Sequence, residues 1–183
     1  MPITPNIINQ YQLALSPIAP EHIATIKVRK KTTIFVATPI ALNNYQTNQM
    51  LYTNQPYNIH AFAHNAWIEP PTEMLLPIMI EYLQNYFAII TVPSISANAD
   101  YTLETQLITL QQNFLTKPSR IELIVKITLI KMNNNNVLAT RIIRKIVPCA
   151  HDTPYGGVLA ANIATKGFLK ELLQFIRSKQ DVN

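Results

Sequence analysis

The sequence predicts a single α/β domain in which a mixed β-sheet, ending in an antiparallel C-terminal meander, carries two main helices packed on it. Three observations lead there. Residues 120–132 are the clearest strand, with Ile121, Leu123, Val125, Ile127 and Leu129 on one face and Glu122, Lys126 and Thr128 on the other, which is strand spacing. Residues 70–87 and 155–179 instead repeat their apolar positions every three or four residues, which is helix spacing. Between the two patterns stands His60–Leu76, HAFAHNAWIEPPTEMLL, where the only tryptophan, Trp67, precedes a Pro-Pro pair. Proline at the first helical turn gives up an N–H that has no partner there anyway, so Pro70 and Pro71 mark a helix start.

The elements follow in chain order. Residues 1–9, rich in Pro and Asn, are expected to be a flexible N-terminal segment ahead of a domain spanning 10–183. Residues 11–15 and 23–28 read as short strands, and the β-branched run 33–38 as a buried one. A polar loop is expected over 43–49. Residues 51–53 and 57–64 read as a strand pair around Asn54-Gln55-Pro56; Ile59, Ala61 and Ala63 alternate with His60, Phe62 and His64. In the first helix Met74, Leu75, Ile78, Met79, Tyr82, Leu83 and Tyr86 form the apolar stripe, and Pro77 is a candidate kink. Residues 88–92 read as a buried strand. Residues 101–114 read as a long strand whose apolar parity slips between Leu107 and Ile108, which a β-bulge explains. Asn133–Asn136 is a turn, since asparagine tolerates left-handed backbone angles, and 137–147 returns as the hairpin partner. The closing helix presents Val158, Ala161, Thr165, Phe168, Leu169, Leu172 and Ile176.

Composition bounds the chemistry. The 183 residues suit one domain, and 48% hydrophobic against 14% charged residues can fill a core. Only 3 glycines are present, and Gly156-Gly157 alone does not supply the offsets of a phosphate-cradling loop. The formal charge of +5 is uneven: residues 1–100 hold four Lys/Arg against five Asp/Glu, and the remainder holds eleven against five. A basic C-terminal half can favour an anionic partner, although a solvated face is the commoner reason for such an excess. No window approaches the ~20 apolar residues of a membrane helix. The start, MPITPNIINQ, shows no signal peptide, which leaves open a cytoplasmic protein or one whose export segment lies outside this chain.

Candidate reactive groups each have a blander reading. His60 and His64 on a strand stand about 13 Å apart at ~3.3 Å per residue, too far for one metal ion. Cys149 beside His151-Asp152 invites a Cys/His nucleophile pair, but such pairs are made by spatial geometry, and no metal or cofactor is expected. Glu69 and Glu73 suit the positive end of the helix dipole better than acid/base work. Arg141, Arg144 and Lys145 with Lys126 and Lys131 could build a basic strand face, but the interleaved aromatics of an RNA platform are missing. The expectation is a chain that is not an enzyme.

The order of several short motifs resembles the ABC-type transport auxiliary lipoprotein component family, the lipoprotein subunits that accompany transporters of mammalian-cell-entry (MCE) domain proteins. The motifs are Tyr11-Gln12-Leu13, Ile34-Phe35-Val36-Ala37-Thr38-Pro39, Met50-Leu51-Tyr52, Ala66-Trp67-Ile68-Glu69-Pro70-Pro71, Ala99-Asp100-Tyr101-Thr102-Leu103, and Asn162 with Ala164 in the last helix. Together they span residue 11 to the end. The resemblance implies a periplasmic protein tethered to the outer membrane, partnering an MCE-domain protein and ABC transporter subunits, with lipid cargo and no nucleic acid; a homo-oligomer is left open. The lipidated cysteine of the family is not in this chain, and Cys149 cannot replace it because lipidation takes place at an N-terminal cysteine. The lipid anchor is therefore expected upstream. Tyr52, His64, Trp67, Pro70, Pro71 and Asn162 are the structural and interaction candidates. The rivals are a stand-alone lipid- or peptide-binding module, a nucleic-acid binder using the basic half, and an enzyme using Cys149 and His151.

Overall fold

A computed structural model describes residues 7–15 and 32–180. The strand expected over 23–28 lies outside the described residues, as do residues 1–6 of the N-terminal segment. Within the described residues one sheet holds β1 (Asn9–Tyr11), β2 (Thr33–Val36), β3 (Ile40–Ala41), β4 (Gln49–Gln55), β5 (Asn58–Trp67), β6 (Ala88–Ile90), β7 (Tyr101–Asn113), β8 (Arg120–Lys131) and β9 (Asn136–Pro148). Two helices complete the domain, α1 (Pro71–Leu83) and α2 (Pro154–Gln180).

The long strand β7 organises everything else. One of its edges pairs antiparallel with β8 along its length, and β8 pairs antiparallel with β9, which is the expected meander. Its other edge is shared in turn by β2, β3 and β4, all parallel to it. Beyond β2 lies β6; beyond β4 lie β5 and then β1. The register of β7 against β8 skips from Leu107 to Thr109, so Ile108 is the extra residue of a bulge, where the parity slip predicts one.

The helices lie on one face. The alternating residues Ile121, Leu123, Val125, Ile127 and Leu129 of β8 are buried with Val158, Ala161, Phe168, Leu169, Leu172 and Ile176 of α2. Each such large side chain removed from water contributes ~1.5–3 kcal/mol. Pro70 caps α1 with an extended backbone and accepts a hydrogen bond from Glu73 N at 2.9 Å, as the Pro-Pro signal requires. The helix runs through Pro77 unbroken. Pro77 is exposed, so the Glu73 carbonyl that loses its partner can be hydrated.

Several expectations change. The strand at 88–92 is not buried: β6 is a sheet edge, with Ala88 exposed and Ile89 and Ile90 half-buried. The stretch 43–49 is not simply loop. It contains a 3-10 turn, Asn43–Tyr45, whose Tyr45 is buried and donates to Gln111 Oε1 at 3.2 Å. The two-residue strand β3 is too short to leave a periodic signal. The first strand is Asn9–Tyr11, earlier than 11–15, because it takes its partner from β5. Trp67 is the last residue of β5, so the strand extends past His64 to the helix junction.

Candidate functional site

Four rings gather on the helix-bearing face where β4, β5 and the end of β7 meet. Tyr52 stacks on Phe62 with centroids 4.5 Å apart and on His60 at 5.3 Å, and meets Phe114 edge-on at 5.9 Å. Phe62 and Phe114 complete the group at 6.3 Å. Register explains the gathering. Tyr52 is opposite His60 across β4–β5 and beside Gln112 across β4–β7, so His60, Phe62, Tyr52, Gln112 and Phe114 share a face. All four rings are half-buried, each with surface left to water. Leu115, next to Phe114, and Tyr57 are exposed, and Tyr57 holds the hairpin tip at φ 63°. Stacked aromatics of this kind supply rigid contact area at low entropic cost.

Next to this surface the first turn of α2 is fixed by a buried polar knot. The Gln112 amide Nε2 donates to Ser119 Oγ at 3.0 Å and to the Thr153 carbonyl at 3.1 Å, and lies 3.6 Å from Cys149 Sγ. Cys149 N donates to the Ser119 carbonyl at 2.7 Å, and Ser119 N donates to Asp152 Oδ1 at 2.6 Å. That backbone donor holds the Asp152 carboxyl below the usual carboxylate range. Thr153 caps α2 through its Oγ1, which accepts from Gly156 N at 3.0 Å. The two glycines follow from crowding here. A Cβ on Gly156 would overlap the His151 carbonyl oxygen, and one on Gly157 would overlap Gln112 Oε1.

This knot speaks against a Cys/His nucleophile. Cys149 is buried at 2% exposure, and burial pushes its thiol pKa up, away from the thiolate that attacks. His151 is exposed in the loop. No group of three His, Cys, Asp or Glu able to hold a metal ion occurs among the described residues. The basic strand face does not form either. Arg141 and Lys145 point toward α2, where Glu171 takes Lys145 Nζ at 2.7 Å and Arg141 at 3.9 Å. Arg144 and Lys126 have the opposite strand parity and lie on the other side of the sheet.

The six candidates divide. Tyr52 is at the centre of the ring cluster, but its histidine neighbour is His60; His64 is exposed further along β5, where the register against β4 is irregular. Trp67, Pro70 and Pro71 shape the junction: Trp67 is 2% exposed with its backbone N–H on the Asn48 carbonyl at 2.7 Å, and Pro71 is buried. Asn162 is a clamp. Its Oδ1 accepts from Ala14 N at 2.8 Å, and its Nδ2 donates to the Gln12 carbonyl at 3.3 Å and the Val158 carbonyl at 3.0 Å. The same N-terminal stretch is held by Ile68 N on the Tyr11 carbonyl at 2.8 Å and by Tyr11 packing its ring 6.0 Å from that of Tyr155. Sequence reasoning did not single out Phe62 and Phe114 as site residues. The alternation at 60–62 puts His60 and Phe62 on one face, but nothing local pairs either ring with Phe114.

Two clefts open elsewhere. One of 540 Å³ is lined by Thr32, Asn98, Asp100, Tyr101, Lys131 and Asn133, and one of 290 Å³ by Thr38, Ile40, Glu104, Gln106, Lys126 and Thr128. The first lining is more polar than apolar, and the second, which includes Ala37, is close to evenly divided.

With this geometry in view, the comparisons with known proteins concern architecture. No family model and no curated protein matches the sequence. The crystal structure of a Xanthomonas campestris protein described under the family DUF330 superposes with a TM-score of 0.75 at 16% identity, covering 94% of this chain and 98% of that one. The fold is shared with a DUF330 protein. An uncharacterized protein gives 0.68 at 14% identity, with 94% and 98% covered, and a hypothetical protein from Chlamydia trachomatis gives 0.59 at 8%, with 84% and 99% covered. At these identities the likeness is one of fold.

Proposed function

We propose that this chain is a non-enzymatic auxiliary component of an MCE-type ABC transport system, held in the periplasm by a lipid anchor on the outer membrane, and that it meets its partner protein through the Tyr52–His60–Phe62–Phe114 face. The observation that carries the reading is that ring cluster: it is half-exposed, beside the exposed Leu115 that follows Phe114, and fixed to a rigid sheet. Partly exposed aromatics on a rigid element are the usual anchors of a protein contact. The motif order from Tyr11 to Asn162 supplies the identity of the system, and the inert setting of Cys149 supports a role that makes and breaks no bond.

The test is a crosslinked capture from membranes of the native source with the full chain as bait, followed by mass spectrometry. Recovery of an MCE-domain protein with its ABC subunits is expected. Replacing Phe62 and Tyr52 by Ala should reduce that recovery by about tenfold or more, since the loss of even one interface anchor costs about that much. Recovery of nucleic acid, or of cytosolic proteins alone, overturns the reading. So does undiminished recovery by the folded double variant as regards the surface.

A further inference from the structure

The meander ends in a long open edge. Among the described residues β9 hydrogen-bonds to β8 alone, and it runs for 13 residues. Open edges of this length are templates for another strand, and proteins commonly blunt them. Here the blunting is slight. A bulge opposite Leu129–Ile130 leaves Leu138 unpaired, and from Ala139 to Pro148 the strand is regular. Its outward side chains are Thr140, Ile142, Arg144 and Ile146, with Ile142 46% and Ile146 57% exposed, and Val137 beyond the bulge is 60% exposed.

We propose that β9 is the seam of a symmetric dimer, joining the same strand of a second copy antiparallel about a two-fold axis at Ile142. Charge and overlap together favour this register. With Ile142 opposite itself, Thr140 faces Arg144, Arg141 faces Ile143 and Lys145 faces Ala139, so no two cations meet. The same pairing sets Leu138 against Ile146, apolar on apolar. Moving the axis by one residue removes this: centred on Arg141 the pairing sets Arg141 opposite itself, and centred on Ile143 it sets Arg141 opposite Lys145; centring on Thr140 also keeps the cations apart but shortens the overlap to Asn136–Arg144. Like charges directly opposite destabilise a strand pair. The matched register also overlaps the whole of Asn136–Pro148, so the greatest backbone pairing and the least repulsion coincide. The face carrying Arg141, Ile143 and Lys145 is the face covered by α2, so the two copies of α2 come side by side above a continuous sheet. A two-fold contact of one patch with itself is the common way for identical chains to close. This inference is independent of the transport reading.

Sedimentation equilibrium of the full chain should give twice the 20.7 kDa monomer mass. Ile142→Asp places two carboxylates on the axis and should return the mass to that of the monomer. Lys126 stands opposite Ile142 in β8, so the new carboxylate has a partner within its own chain and the fold is kept. Ile142→Cys should be joined to itself by a short bismaleimide, whereas Ile59→Cys, equally exposed on β5, should not. Leu138→Cys mixed with Ile146→Cys should join only as the heterodimer. A monomeric wild-type chain, a dimer undisturbed by Ile142→Asp, or crosslinking at Ile59→Cys equal to that at Ile142→Cys overturns the proposal.

Discussion

Substituting Gly157 by alanine tests whether the polar knot under α2 is as tight as its distances say. In an ordinary helix the change stabilises by up to ~1 kcal/mol, because alanine loses less backbone freedom on folding. Here the new Cβ would overlap Gln112 Oε1 and stand 2.9 Å from its Cδ. Gln112 is 1% exposed and held by Ser119 Oγ and the Thr153 carbonyl, so it cannot swing into open space. Moving it aside forfeits two hydrogen bonds at ~1 kcal/mol each, and squeezing it in place costs ~1–3 kcal/mol of overpacking. Against a gain of ~1, the net expectation is a loss of about 1–2 kcal/mol. Urea unfolding followed by the fluorescence of Trp67, the only tryptophan and 2% exposed, should show the midpoint falling by about 0.5–1 M at a slope of ~2 kcal/mol per M. In a Gln112→Ala background the obstacle is gone, and Gly157→Ala should then be neutral or stabilising, giving a coupling of about 2 kcal/mol in the double-mutant cycle. Equal effects in both backgrounds, or stabilisation in the wild type, would refute the close approach.

Three further outcomes are expected. Gly156→Ala meets a backbone carbonyl, which no side-chain truncation relieves, so its loss of stability should persist in the Gln112→Ala background when measured by the same urea midpoint. Asn162→Ala removes the bonds to Ala14 N and the Gln12 carbonyl, costing about 1–2 kcal/mol, and limited proteolysis should cut the 12–15 stretch faster; unchanged cutting would deny the clamp. Asp152 has a folded pKa below its unfolded one, so its contribution is present above the unfolded value and is lost as pH falls through the folded value; thermal unfolding of Asp152→Asn should therefore decline less than wild type over roughly pH 5 to 2, and parallel curves would contradict the Ser119 contact.

What could be read from the sequence was whatever local periodicity encodes. The β8 alternation and the α2 stripe are burial patterns, so their residues reappear in the core. The bulge at Ile108 was visible because the apolar phase reverses around it. Its consequence was not: Gln111 and Gln112 are chemically identical, and only the extra residue decides that Gln112 enters the knot while Gln111 meets Tyr45 and Glu122 on the far face. The basic residues misled for a related reason. Arg141, Arg144 and Lys145 are neighbours in sequence, yet strand parity sends the middle one to the opposite side. Within the ring cluster, His60 and Phe62 share a strand, but Phe114 reaches Tyr52 only because β4 lies parallel to the end of β7, a pairing that belongs to topology.

The fastening of the N-terminal stretch has a mechanical side. Residues 9–14 are attached to three separate elements: β5 through a parallel ladder, α1 through Leu13 N on Met74 Sδ at 3.4 Å, and α2 through Asn162. A pull applied from the N-terminal side along β1 loads the ladder in shear, so its hydrogen bonds share the tension instead of opening one after another. The load then passes into the C-terminal end of β5 beside Trp67 and into the third turn of α2, away from the β4–β5 turn. A pull from this end is borne by the β1–β5 ladder and the α2 contact together, before it reaches the stretch of β5 that carries His60 and Phe62.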